Sequence, residues 1–144
     1  METLGQKRDR FTRALAEWIL AVNKLPGHTL RLCEALRSDE QSEINAIGNE
    51  GRKALVSYLM PAYPELAKRI ANNTGSGIRT SLHGDGLAAD LQLFVEGKWI
   101  SNGNDPHWVK VGEMWEAMGP DHKWGGNFPK PDGNHVSIQH EGRS

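Results

Sequence analysis

The sequence predicts a small α+β domain in which a mainly antiparallel sheet is flanked by helices. Three observations carry this. Phe11, Leu15, Trp18, Ile19 and Val22 recur at helical spacing near the N-terminus. Leu87 to Phe94 is an apolar run of strand length, with Leu87, Ala89, Leu91 and Leu93 on one face and Ala88, Asp90, Gln92 and Phe94 on the other. Asp105-Pro106 has the chemistry of a helix start, Asp as cap and Pro in the first turn. At 144 residues the chain has the length of one domain, here taken as residues 1–144, able to bury a core without disulfides.

Taken in order, the first helix is amphipathic, with Arg13, Glu17 and Asn23 between its apolar positions, and ends near Lys24-Leu25-Pro26-Gly27. Leu30 to Leu36 follows as an apolar strand holding the single cysteine, Cys33, which is expected to be buried and inert. A helical insertion is expected at about 46–74: Ile44, Ile47, Leu55, Tyr58 and Leu59 precede a break at Pro61–Pro64, and a second helix covers Glu65 to Asn72. Asn72 to Gly77 reads as a loop. Phe94 to Trp99 reads as a hairpin turning at Glu96-Gly97. The helix after Pro106 would face inward with Val109, Gly112, Met114, Trp115 and Met118, and would end at Gly119-Pro120. Lys123 to Asp132 reads as a Gly/Pro-rich loop, Asn134 to Gln139 as a strand, and His140 to Ser144 as a loose end.

Chemistry concentrates in Ser81-Leu82-His83-Gly84-Asp85-Gly86-Leu87-Ala88-Ala89-Asp90 and in Asp132-Gly133-Asn134-His135. Two imidazoles and a carboxylate are a donor set for zinc, which in hydrolytic sites keeps a fourth position for water and lowers its pKa toward ~7. A second carboxylate can move the proton. His83 and Asp90 are seven positions apart, so they do not share a helical face but fit a turn feeding a strand. From spacing alone they could equally be turn and strand polar groups that hold no metal.

The pattern Ser-x-His-x-x-Gly-Leu-Ala-x-Asp-Leu, with Trp124-Gly125-Gly126-Asn127-Phe128 and Asp132-x-x-His135, closely resembles the zinc peptidases that cut peptidoglycan stem peptides. These are the D-alanyl-D-alanine carboxypeptidases and L-alanyl-D-glutamate endopeptidases, and the chain looks like their phage-endolysin branch. Upstream, Phe11, the Leu30 to Leu36 strand and Arg37-Ser38-x-x-Gln41 extend the resemblance. It implies a hedgehog/D-Ala-D-Ala peptidase-like fold with the metal site on the sheet. It also implies Zn2+ on His83, Asp90 and His135, Asp132 as acid/base, and Arg37 toward the substrate carboxylate or oxyanion. Ser81 either contacts substrate or caps the turn before His83, and Trp124 either walls the cleft or packs. The implied reaction is hydrolysis of the L-alanyl-D-glutamate bond, with D-alanyl-D-alanine carboxypeptidase as the alternative. Two features depart from the family pattern: the 46–74 insertion, and Val136, where the family often has an aromatic residue.

Composition sets further expectations. The formal charge of -1 argues against a nucleic-acid or membrane surface, and so against a His-metal nuclease in the His122 to His140 region. No run of eighteen apolar residues exists to span a bilayer. The charged stretch Lys7 to Arg13 does not read as a secretory signal, and with that the endolysin resemblance implies a protein made in the host cytoplasm that acts on the wall after release. The family resemblance implies a peptidoglycan stem peptide as partner, and the expected state is a monomer without a separate wall-binding domain. A non-catalytic wall-binding or virion module is the remaining alternative.

Overall fold

The computed structural model describes residues 1–37, 48–72 and 81–144. Ser38, Gln41, Ile44, Ile47 and most of the Asn72–Gly77 loop lie outside the described residues. Among the described residues, helix α1 spans Leu4–Asn23 and strand β1 His28–Glu34. Helices α2 and α3 are Gly48–Leu59 and Pro64–Ala71, in the region read as a helical insertion. Strands β2 and β3 are Ala88–Val95 and Lys98–Trp99, and helix α4 is Pro106–Glu116. The chain closes with β4 His122–Trp124, a 3-10 turn over Gly125–Asn127, and β5 His135–Ile138. All pairings are antiparallel, in the order β1-β2-β5-β4, with β3 paired to β2. The α+β class therefore holds.

Local chemistry explains the ends of these elements. Thr3 caps α1 in a reciprocal box with Gln6. The Asp105 side chain accepts from His107 N at 2.9 Å, with Pro106 in the first turn of α4. Glu96 and Gly97 turn the β2–β3 hairpin with φ of 49° and 74°, the left-handed pair that a two-residue hairpin turn needs.

The core lies between the sheet and the helices α1 and α4. Phe11, Trp18 and Val22 meet Trp108, Val111 and Trp115 beneath Leu87, Ala89, Leu91 and Leu93. Trp18 and Trp115 pack edge to face at 5.4 Å, and their indole N–H groups donate to Val111 O and Ser137 O, so neither is buried unsatisfied. Gly112 lets α4 close on the sheet, since a Cβ there would overlap the Trp124 ring.

Four expectations are corrected. The inner side of α4 is Trp108, Val111, Gly112 and Trp115, whereas Val109 and Met118 are exposed, because the sheet meets a face rotated by about one residue. The Lys123–Asp132 stretch starts with β4, where backbone pairing to β5 overrides the Gly/Pro signal that follows. His140 and Arg143 exchange backbone hydrogen bonds, and Arg143 pairs with Asp85 at 2.8 Å, so the C-terminal residues are anchored. Cys33 is exposed, because of the face strand β1 buries only Leu30 and its register shifts between Leu32 and Glu34. His28 Nε2 lies 3.2 Å from His107 Nδ1.

Candidate metal centre

Three segments converge at one end of β2. Asp90 pairs with His135 of β5 on one side and Glu34 of β1 on the other. His83 arrives on the turn before β2. Gly84 N donates to Ser81 O, Gly86 N to His83 O and Leu87 N to Leu82 O. Gly86 adopts φ 66°, a left-handed conformation that suits glycine. Ser81 Oγ accepts from His83 N at 3.2 Å, a side-chain cap on the turn before His83.

His83 and His135 are almost fully buried, at 3% and 9% exposure. Asp90 Oδ1 lies 3.2 Å from His83 Nε2 and 3.1 Å from His135 Nδ1, and one donor atom from each residue falls within 4.8 Å of the others. A tetrahedral ion with bonds of roughly 2.0 Å separates its ligand atoms by about 3.3 Å, so the two short spacings fit such an ion. Among the described residues, His83 Nδ1 and His135 Nε2 are buried without a hydrogen-bond partner. One carboxylate thus leaves two imidazoles incompletely satisfied, and two nitrogens with one oxygen are a donor set suited to zinc. Burial alone would push the Asp90 carboxyl up. Hydrogen bonds from His135 and His83, and the charge of both rings, outweigh it and hold the group well below the usual carboxylate range.

Arg37 lies beside this cluster. Its backbone N–H donates to His83 O, and its side chain is 9% exposed. The guanidinium makes two hydrogen bonds to Glu34, at 2.7 and 2.9 Å, and approaches Asp90 Oδ2 at 3.9 Å. The Arg37 hydrogen bonds hold the Glu34 carboxyl below its ordinary value, and Glu34 in turn raises the guanidinium. Sequence reading missed Glu34. Its only trace there was a carboxylate three residues before Arg37, and the bulge that turns it toward Asp90 leaves no mark in the residue pattern.

The second half of the cluster depends on the turn after β4. Trp124 is 4% exposed and donates from Nε1 to Gly133 O at 2.7 Å, so its indole supports the Asp132–His135 turn from within the core. Asp132 N donates to Gly125 O and His135 N to Asp132 O. A Cβ on Gly125 would overlap Asp132 O and touch His135 Cβ, so the Gly pair allows the close approach of this turn. Glu116 of α4 accepts from Trp124 N and Asn127 Nδ2, tying the helix to the same turn. The Asp132 residue itself is exposed and lines a cleft of about 500 Å³ together with Cys33, Gln92, Trp99, Asn104 and Asn134.

Residues 74–138 match a family model described as D-alanyl-D-alanine carboxypeptidase. The matched stretch contains His83, Asp90, Asp132 and His135, while Arg37 and the α2–α3 pair lie outside it. No curated protein matches the chain. The match supports the zinc peptidase family and, in general terms, a metallopeptidase acting on peptidoglycan. The His83–Asp90–His135 cluster, which could hold a metal ion, agrees with it. No helix among the described residues is long and apolar enough to cross a membrane.

Proposed function

We propose that this protein is a zinc-dependent peptidoglycan peptidase of the endolysin type that hydrolyses the L-alanyl-D-glutamate bond of stem peptides. The observation that supports this most is the convergence of His83, Asp90 and His135, with Asp132 exposed on the adjoining turn at the edge of a cleft. Zn2+ held by these three residues would supply Lewis-acid polarisation and acidify a water near neutral pH.

The chain's own residues do the rest. Asp132 takes the proton of the attacking water and delivers it to the departing amine, help of the kind worth ~10²–10⁴ in rate. The Arg37 guanidinium, kept charged by Glu34, offsets negative charge that develops at the scissile carbonyl or carried by the substrate carboxylate. Ser81 sets the turn that presents His83, and Trp124 holds the turn that presents Asp132 and His135. In this reading residues 1–144 act as one monomeric catalytic domain. It is made in the host cytoplasm and reaches the wall after release.

The description of the matching family favours a second reading, D-alanyl-D-alanine carboxypeptidase. Digestion of Gram-negative-type peptidoglycan followed by mass spectrometry separates the two. The endopeptidase exposes N-terminal D-glutamate and frees whole stem peptides, whereas the carboxypeptidase releases only D-alanine. Walls bound by zinc-loaded protein with no product would indicate a non-catalytic wall-binding module.

A further inference from the structure

Among the described residues, a cleft opens beside strand β2 next to the candidate metal site. The strand's first residues, Ala88 to Asp90, pair with β5, and its last, Phe94 and Val95, pair with β3. Between them Leu91 N reaches Asn134 O, Ile100 N reaches Leu93 O, and the cleft of about 500 Å³ opens. Asp132 lies at one side of this notch and Trp99 lines it as well. The loop that carries Asn104 packs closely on the Asp132 turn, since a Cβ on Gly103 would lie 2.9 Å from Gly133 Cα.

The lining has a distinct chemistry. Trp99 leaves 59% of its surface exposed, although the other four Trp side chains are buried or nearly so. Gln92, Asn104 and Asn134 add neutral amides, and Asp132 is the one charged side chain among the described residues of the lining. An exposed aromatic face beside uncharged hydrogen-bonding groups suits a pyranose ring, which offers axial C–H groups to the ring face and hydroxyl and acetamido groups to the amides. It does not suit an anion or a purely apolar ligand.

We propose that this notch is the subsite for the N-acetylmuramoyl sugar that carries the stem peptide, with Trp99 as its stacking platform. The proposal rests on the L-alanyl-D-glutamate reading above, which puts only one amino acid and a lactyl group between the scissile carbonyl and the sugar. Those two units reach about 7 Å. Trp99 is the partner of Phe94, four strand residues or about 13 Å from Asp90. The sugar ring fills the difference.

Two substrates test this with the zinc-loaded full chain: N-acetylmuramoyl-L-alanyl-D-isoglutamine and the sugar-free L-alanyl-D-isoglutamine. Trp99→Ala should lower the kcat/KM preference for the sugar-bearing compound several-fold, up to about tenfold, through KM, and Trp99→Phe should recover much of it. Circular dichroism checks the fold, and Asn104→Ala serves as a second variant that should lower the same preference. An unchanged preference in both Trp99→Ala and Asn104→Ala overturns the subsite. Cys33, the chain's single cysteine, lines the notch and reports occupancy directly. The sugar-bearing compound should slow its alkylation by a maleimide more than the sugar-free one does. If the wild-type protein cleaves neither compound, the bond assignment fails, and Cys33 protection alone then decides the subsite. Equal alkylation rates overturn it.

Discussion

The sheet end that gathers His83, Asp90 and His135 contrasts with the helical pair α2–α3. At the sheet end groups are fixed by partners distant in sequence: Asp90 between Glu34 and His135, and Arg37 N on His83 O. The helical pair is held mainly by local order. Glu50–Lys53 and Glu65–Lys68 are exposed ion pairs three residues apart, each worth a few tenths of a kcal/mol. Ala67 and Ile70 are buried there outside the main core, and Tyr58 and Tyr63 remain largely exposed. Precise placement of donor atoms therefore comes from long-range pairing, whereas the helical pair, among the described residues, packs mainly on itself.

The largest effect should follow from His135→Ala. On the proposed function this removes one of three buried ligands, so metal content should fall from about one ion per chain to near zero and hydrolysis should vanish, with some loss of stability because ligation couples to folding. Full activity in a rigorously metal-free sample would contradict the comparison at its root.

Asp132→Asn should separate chemistry from binding. It should keep the metal and the fold while turnover drops by ~10²–10⁴. Metal analysis beside kinetics checks this, and release of the metal would make Asp132 a ligand instead of the base.

Gly125→Ala probes the backbone that supports the site. The new methyl must displace Asp132 O and His135 Cβ, which should cost about 1–3 kcal/mol in urea unfolding and weaken metal retention together. Stability lost without any change in metal affinity would mean that the turn does not position His135.

The smallest effect should come from the helical pair. Tyr58 is 82% exposed, so Tyr58→Ala should change stability by less than about 0.5 kcal/mol and leave cleavage of small peptides unaltered. A large loss would show that α2 is coupled to the sheet after all.

Much of this was legible before any coordinates. The helical period of Phe11 to Val22, the two-residue period of Leu87 to Phe94 and the Asp105-Pro106 start are local signals written by neighbouring residues, and they return as α1, β2 and α4. Asp90 on the mixed face of β2 follows from the same period. Other elements depend on partners that no local window contains. Strand β4 exists because β5 offers it hydrogen bonds, and the inward face of α4 is chosen by where the sheet lies. Cys33 is exposed because of a shift in register with β2.

The site divides the same way. Which donors are available can be read along the chain, since side-chain chemistry and the turn residues around His83 and Asp132 are local properties. That Asp90 stands between His83 and His135, that Glu34 holds Arg37, and that Trp124 is buried in the core while Trp99 is left in the open emerges from the folded arrangement. The physical reason is that antiparallel register and side-chain packing join segments tens of residues apart, and such pairings are set by the whole chain's competition for burial and hydrogen bonds.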